Sequence, residues 1–134
     1  MSNQPRRGFL ATLGTITLWP EALQGVQNPT DRMRFIVISD THLGRHDNDQ
    51  AERQWNRTAA ELKEAPGDFI LHLGDVVDGG RAAQYPIYRR ISEGIGKRVY
   101  EIPGNHDPVP LFEKHLGHPA DRSFVHGGIR FVLL

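Results

Sequence analysis

Asp40-Thr41-His42, Gly74-Asp75-Val76-Val77-Asp78 and Gly104-Asn105-His106-Asp107 each follow a short apolar run, and each gathers carboxylate, imidazole or amide groups. These are the oxygen and nitrogen donors that borderline divalent metals accept. Alone, each cluster reads more readily as a turn, loop or helix cap than as a ligand set, because Asp and Asn side chains bond readily to nearby backbone. Asp40, Asp75 and Asn105 are spaced 35 and 30 residues apart, about one strand-helix unit each. In that order and after strands, the three together predict a metal site. The chain contains no cysteine, so thiolate ligands and disulfides are excluded.

For the clusters to meet, the segments before them must lie side by side. Phe35 to Ser39 is a nearly all-apolar run rich in β-branched residues, which predicts a strand buried on both faces. Beyond a polar loop from Asp40 to Gln50, Ala51 to Ala65 predicts a helix with Trp55, Ala59 and Leu62 on one stripe, stopped by Pro66-Gly67. Asp68 to Leu73 predicts a second strand and Lys97 to Ile102 a third. Between them, Ala82 to Ile95 predicts a helix made irregular near Pro86, with Ile87, Ile91 and Ile95 on one stripe. Pro110 to Leu116 predicts a short helix, and Ser123 to Val125 and Ile129 to Leu134 predict two strands turned through His126-Gly127-Gly128. Right-handed β-α-β units would make this an α/β fold with a mainly parallel sheet. All three clusters then fall at the carboxyl edge, where open α/β sheets bind ligands.

With 38% hydrophobic residues, the 134-residue chain suits one folded domain, expected over residues 33–134 after a polar linker at 26–32. Sixteen basic and sixteen acidic residues cancel, and no Lys/Arg block exceeds a pair, so no nucleic-acid surface or anionic-membrane partner is expected. The first 25 residues differ in kind. Arg6-Arg7 precedes a mostly apolar run from Phe9 to Trp19 that is too short to span a bilayer and ends at Pro20. This segment resembles a twin-arginine export signal, which implies the twin-arginine export machinery as a partner and a periplasmic or other extracytoplasmic location. A frayed N-terminal helix, with a cytoplasmic protein, is the other reading.

The three clusters resemble the core motifs of the calcineurin-like metallophosphoesterases, Asp-x-His, Gly-Asp-x-x-Asp and Gly-Asn-His-(Asp/Glu), in the style of the cyclic-nucleotide phosphodiesterase-like branch. The resemblance spans Asp40 to Asp107. It implies the N-terminal half of an α/β/β/α sandwich and a centre of two metal ions, manganese, iron or zinc. It places Asp40 and His42 on the first metal, Asp75 between both, and Asn105 on the second through its amide oxygen. His106 would protonate the leaving oxygen, and Asp78 would orient His106. The implied activity is hydrolysis of small phosphate mono- or diesters by metal-bound hydroxide. Many phosphoprotein phosphatases place Arg-Gly after the second motif, whereas Gly79-Gly80 stand here, which argues against a phosphoprotein substrate. The further histidine and the Gly-His-x-His motif of the family do not occur before Leu134, so the chain reads as truncated at its C-terminus. A catalytically incompetent metal-binding fragment is therefore the alternative, and Phe131 to Leu134 is expected to form an exposed apolar edge.

The residue chemistry supports the same roles independently. A carboxylate between two cations balances their charge, and ions about 3.5 to 4 Å apart can clamp both the attacking and the leaving oxygen of a phosphate ester. An imidazole beside a carboxylate favours its charged, proton-donating form. Gly74 and Gly104 allow tight turns and close backbone approach. His72, inside the second strand, reads as a hydrogen-bonded core histidine, and His46 and Asp47 as solvated loop residues. His115, His118 and His126 have no ligand spacing, and Tyr85, Tyr88, Phe112 and Phe124 read as packing residues.

Overall fold

The computed structural model describes residues 32–45 and 48–134; the expected export segment, most of the linker, and His46 and Asp47 lie outside the described residues. In chain order the elements are β1 (Phe35–Ile38), α1 (Asn48–Glu64), β2 (Phe69–His72), α2 (Gln84–Glu93), β3 (Arg98–Glu101), α3 (Val109–Leu116), β4 (Arg122–His126) and β5 (Ile129–Leu133). β1, β2 and β3 form a parallel sheet in that order, with Phe35 opposite Phe69 and Phe69 opposite Arg98. The fold is the predicted α/β class. Its two β-α-β units bring the carboxyl ends of all three strands to one edge.

β2 is the centre of the packing, with all four residues buried. Strand alternation sends Ile70 to one face, where it joins Trp55, Ala59 and Leu62 of α1 and Tyr88 and Ile91 of α2. Phe69 and Leu71 point to the other face and meet Leu133, Phe124 and Phe131 of the β4-β5 hairpin. Burying each such side chain contributes about 1.5 to 3 kcal/mol. The α1 stripe is as predicted, and Trp55 stacks on Tyr88 at 5.4 Å between ring centroids.

Three expectations need correction. β1 is not buried on both faces, since Phe35 is 41% and Val37 51% exposed. It is the sheet's edge strand, and the hairpin's aromatic cluster centres on Phe69, reaching β1 at Phe35 through Phe131. α2 is shorter than predicted and unbroken: with Ala83 as its N-cap, Pro86 falls in the first turn, where a backbone N–H has no helical acceptor to lose. The stretch Phe131 to Leu134 is only half exposed. Leu133 is buried and Phe131 half-buried, whereas Val132 and Leu134 face outward, as the period of a strand requires.

The hairpin closes through Gly127 and Gly128, both at positive φ (55° and 77°), the conformation a two-residue turn of matching twist demands. Tyr85, Tyr88 and Phe112 are fully buried and Phe124 is half-buried, in keeping with packing roles. Among the described residues no helix is long and apolar enough to cross a membrane.

Candidate metal centre

Beyond β1 and β2 the chain does not diverge but continues as two loops laced together. Asp40 N–H donates to the Gly74 carbonyl (3.0 Å), His42 N–H to Asp75 (2.9 Å) and Leu43 N–H to Val76 (3.1 Å), while Asp78 N–H returns to Leu43 (2.9 Å). The first two motifs are thereby held in fixed register. The third is fastened to them by Asp107, a carboxylate only 3% exposed. It accepts N–H bonds from Val76 (2.9 Å), Gly104 (3.0 Å) and Val77 (3.1 Å), and the hydroxyl of Tyr85 (3.2 Å). Four donors offset the cost of burying the charge. Burial, reinforced by Asp107, pushes the Tyr85 hydroxyl pKa upward, so it remains a donor.

The motif glycines interlock where these loops cross. Gly74 has φ 102°, and a Cβ there would lie 2.6 Å from Gly104 N. A Cβ on Gly104 would overlap the Asp75 carboxylate.

Within this frame the polar side chains converge. His42 Nε2 lies 3.4 Å from Asp40 Oδ1 and 3.6 Å from Asp75 Oδ2. Asp78 Oδ1 lies 3.4 Å from both His42 Nδ1 and His106 Nδ1. One ligand atom each from His42, Asp75 and His106 falls within 4.8 Å of the others. Donors held about 2.0 to 2.2 Å from a shared ion stand about 3 to 3.5 Å apart, so the spacing around His42 Nε2 suits a metal. His42 Nδ1 is buried and makes no hydrogen bond, because Asp78 is near but not aligned with it. The Ser39 hydroxyl, and then His42, hold the Asp40 carboxyl below its ordinary pKa, which favours the ligating form.

Backbone conformation marks the same residues. Asp40 (φ 61°), His42 (φ 40°) and Asp75 (φ 55°) are the non-glycine residues at positive φ among those described. Each such position costs of order 1 to 3 kcal/mol, and such strain gathers at functional sites.

The structure therefore brings together Asp40, His42, Asp75, Asp78 and His106 of the predicted set. Asn105 is exposed in the loop whose next N–H, that of His106, donates to Asp75 Oδ1 at 3.0 Å. Two features go beyond the sequence reading. His106 stands among the atoms able to share an ion, and Asp78 faces His42 as well as His106. Asp107 carried no assigned role, although an extra carboxylate directly after Asn-His was the signal available. Three other described histidines have partners of their own: His115 stacks on Tyr85, His118 pairs with Glu101, and His126 lies beside Asp68 at the amino end of β2.

Residues 33–132 match the family model for calcineurin-like phosphoesterases, a span containing all three motifs and both β-α-β units. No curated protein matches the chain. The family match and the His/Asp cluster at the carboxyl edge agree on a metal-dependent chemistry. The chain belongs to the calcineurin-like phosphoesterase family.

Proposed function

We propose that the chain hydrolyses phosphate mono- or diesters at a centre of two metal ions, manganese, iron or zinc. Asp40 and His42 would hold the first ion, Asp75 both, and Asn105 the second. The observation that carries this reading is the placement of His42 Nε2 between two carboxylates at 3.4 and 3.6 Å, on strained backbone. When bound, the ions would supply a water that ionises near neutral pH and positive charge for the phosphate oxygens. The Asp40 side chain is 62% exposed, which leaves the approach to the site open to an ester. His106 Nδ1 accepts the Gly79 N–H at 3.5 Å with Asp78 Oδ1 standing 3.4 Å away, which leaves Nε2 of that half-exposed ring to protonate the leaving oxygen. Gly79-Gly80 in place of Arg-Gly favours a small ester of the cyclic-nucleotide phosphodiesterase kind over a phosphoprotein. Arg6-Arg7 and the apolar run after them support export by the twin-arginine machinery to an extracytoplasmic location.

Turnover of bis(4-nitrophenyl) phosphate and 4-nitrophenyl phosphate, with and without added Mn2+, tests the catalytic reading. Metal-dependent release of nitrophenolate that disappears in Asp75→Ala and falls sharply in His106→Ala is the expected result. A second reading, a metal-binding fragment without turnover, is favoured by the ligand count, because the second ion has only Asp75 and Asn105 assigned to it. Mn2+ binding without hydrolysis would select that reading.

A further inference from the structure

His72 lies beneath the metal centre rather than in it, fully buried at the end of β2. Trp55 and Tyr88 box its ring edge-on, with centroids 6.3 and 5.7 Å away. An apolar residue would fill that space at no polar cost, whereas a buried imidazole is tolerated only when its nitrogens are paired. Both nitrogens are paired. Gly74 N–H donates to Nδ1 at 3.2 Å, and Thr41 Oγ1 stands 3.2 Å from Nε2. A backbone N–H can only donate, so Nδ1 accepts, and the proton of the neutral ring lies on Nε2. Nε2–H then donates to Thr41 Oγ1, whose own proton goes to the Val76 carbonyl at 2.8 Å. Burial pushes the His72 pKa down to about 4, so the neutral ring that these bonds require is the form present at neutral pH.

We infer that His72 and Thr41 are positioning residues for metal binding: directed hydrogen bonds from Gly74 through His72 and Thr41 to Val76 pin the Asp40-Thr41-His42 tripeptide against the loop that carries Asp75. The inference rests on the metal roles proposed above for Asp40, His42 and Asp75. Thr41 is flanked by the two strained residues of its loop, Asp40 and His42. The backbone bonds of those neighbours to Gly74 and Asp75 run on either side of it. Its inward hydroxyl thus anchors the point between the two candidate ligands. The direction of the relay matters, because a ring protonated on Nδ1 would confront the Gly74 N–H and leave Thr41 without its donor.

Titration of the full chain with Mn2+, followed by the electron paramagnetic resonance of the free ion and paired with the thermal midpoint of the metal-free protein, tests this. His72→Leu and Thr41→Val are each expected to weaken Mn2+ binding roughly 10- to 100-fold, the range for residues that orient ligands. The double variant should bind no more weakly than the His72→Leu chain, because one relay is broken in both. Thr41→Ser should restore affinity. Tyr88→Phe, which removes the buried hydroxyl of a ring packed on His72 without breaking the relay, should move the midpoint and leave affinity unchanged. Should His72→Leu fail to fold, Thr41→Val decides, being nearly isosteric at a half-buried position. Undiminished affinity in Thr41→Val, with the unaltered chain binding Mn2+, overturns the relay alone. No Mn2+ uptake by the unaltered chain overturns the metal roles and the relay with them.

Discussion

The β4-β5 hairpin and the loops at the carboxyl edge of the parallel sheet solve the same backbone problem differently. The β4-β5 turn needs left-handed residues and uses Gly127 and Gly128, for which that conformation carries little penalty. The loops at the carboxyl edge also need left-handed residues, and there Asp40, His42 and Asp75 adopt that conformation alongside Gly44, Gly74, Gly79 and Gly80. Around the hairpin the packing is aromatic, with Phe69, Phe124 and Phe131 ring against ring. Around the loops it is polar and bonded, through Asp107, Thr41 and His72. The hairpin is arranged for stability; the loops accept strain in order to aim ligands.

The sharpest way to break the contrast is to remove the fastening of the strained loops. Asp107→Ala leaves three backbone N–H groups and the Tyr85 hydroxyl without their acceptor, and should cost about 3 to 5 kcal/mol in denaturant unfolding. A loss below 1 kcal/mol would mean that the loops hold their register without it.

Acid should act on the loop end next. The His72 pKa is pushed from 6.5 in the unfolded chain down to about 4 by burial, so the unfolded state binds the extra proton first as pH falls. The contribution is fully present above pH 6.5 and is lost as pH falls from there toward about 4, on the order of 3 kcal/mol in all. The stability of a folded His72→Leu variant, measured by urea unfolding across that window, should vary less steeply than that of the unaltered chain.

The smallest effects test the comparison itself. Gly127→Ala should destabilise by about 1 to 2 kcal/mol, because alanine resists the left-handed region. Asp40→Gly should do the opposite, raising the thermal midpoint of the metal-free protein while weakening its Mn2+ binding. A fall in that midpoint would show that the Asp40 backbone is not strained.

Much of this was legible in the sequence because it depends on local pattern. The apolar runs at Phe35 and Phe69 and the Trp55-Ala59-Leu62 stripe predict elements that form with boundaries shifted by at most three residues. The three motifs announce the site through residue type and order. What was not legible depends on pairing between distant segments. The exposure of Val37 follows from β1 lying at the sheet's edge, which an apolar run does not encode. The Asp107 fastening spans about 30 residues of chain to Val76 and Val77, and the roles of His72 and Thr41 exist only once their loops are laced together. His72 alone was readable as a bonded core residue, since a histidine amid β-strand hydrophobics must find partners.

The carboxylate of Asp78 stands between the imidazoles of His42 and His106, at 3.4 Å from each. On the proposed roles, one residue thereby couples the affinity for the ion to delivery of the proton. An Asp78→Asn variant should shift a metal titration and a pH-rate profile together, so for this site the two measurements are not independent axes. A loss of rate there belongs to neither histidine until the other has been varied alongside it.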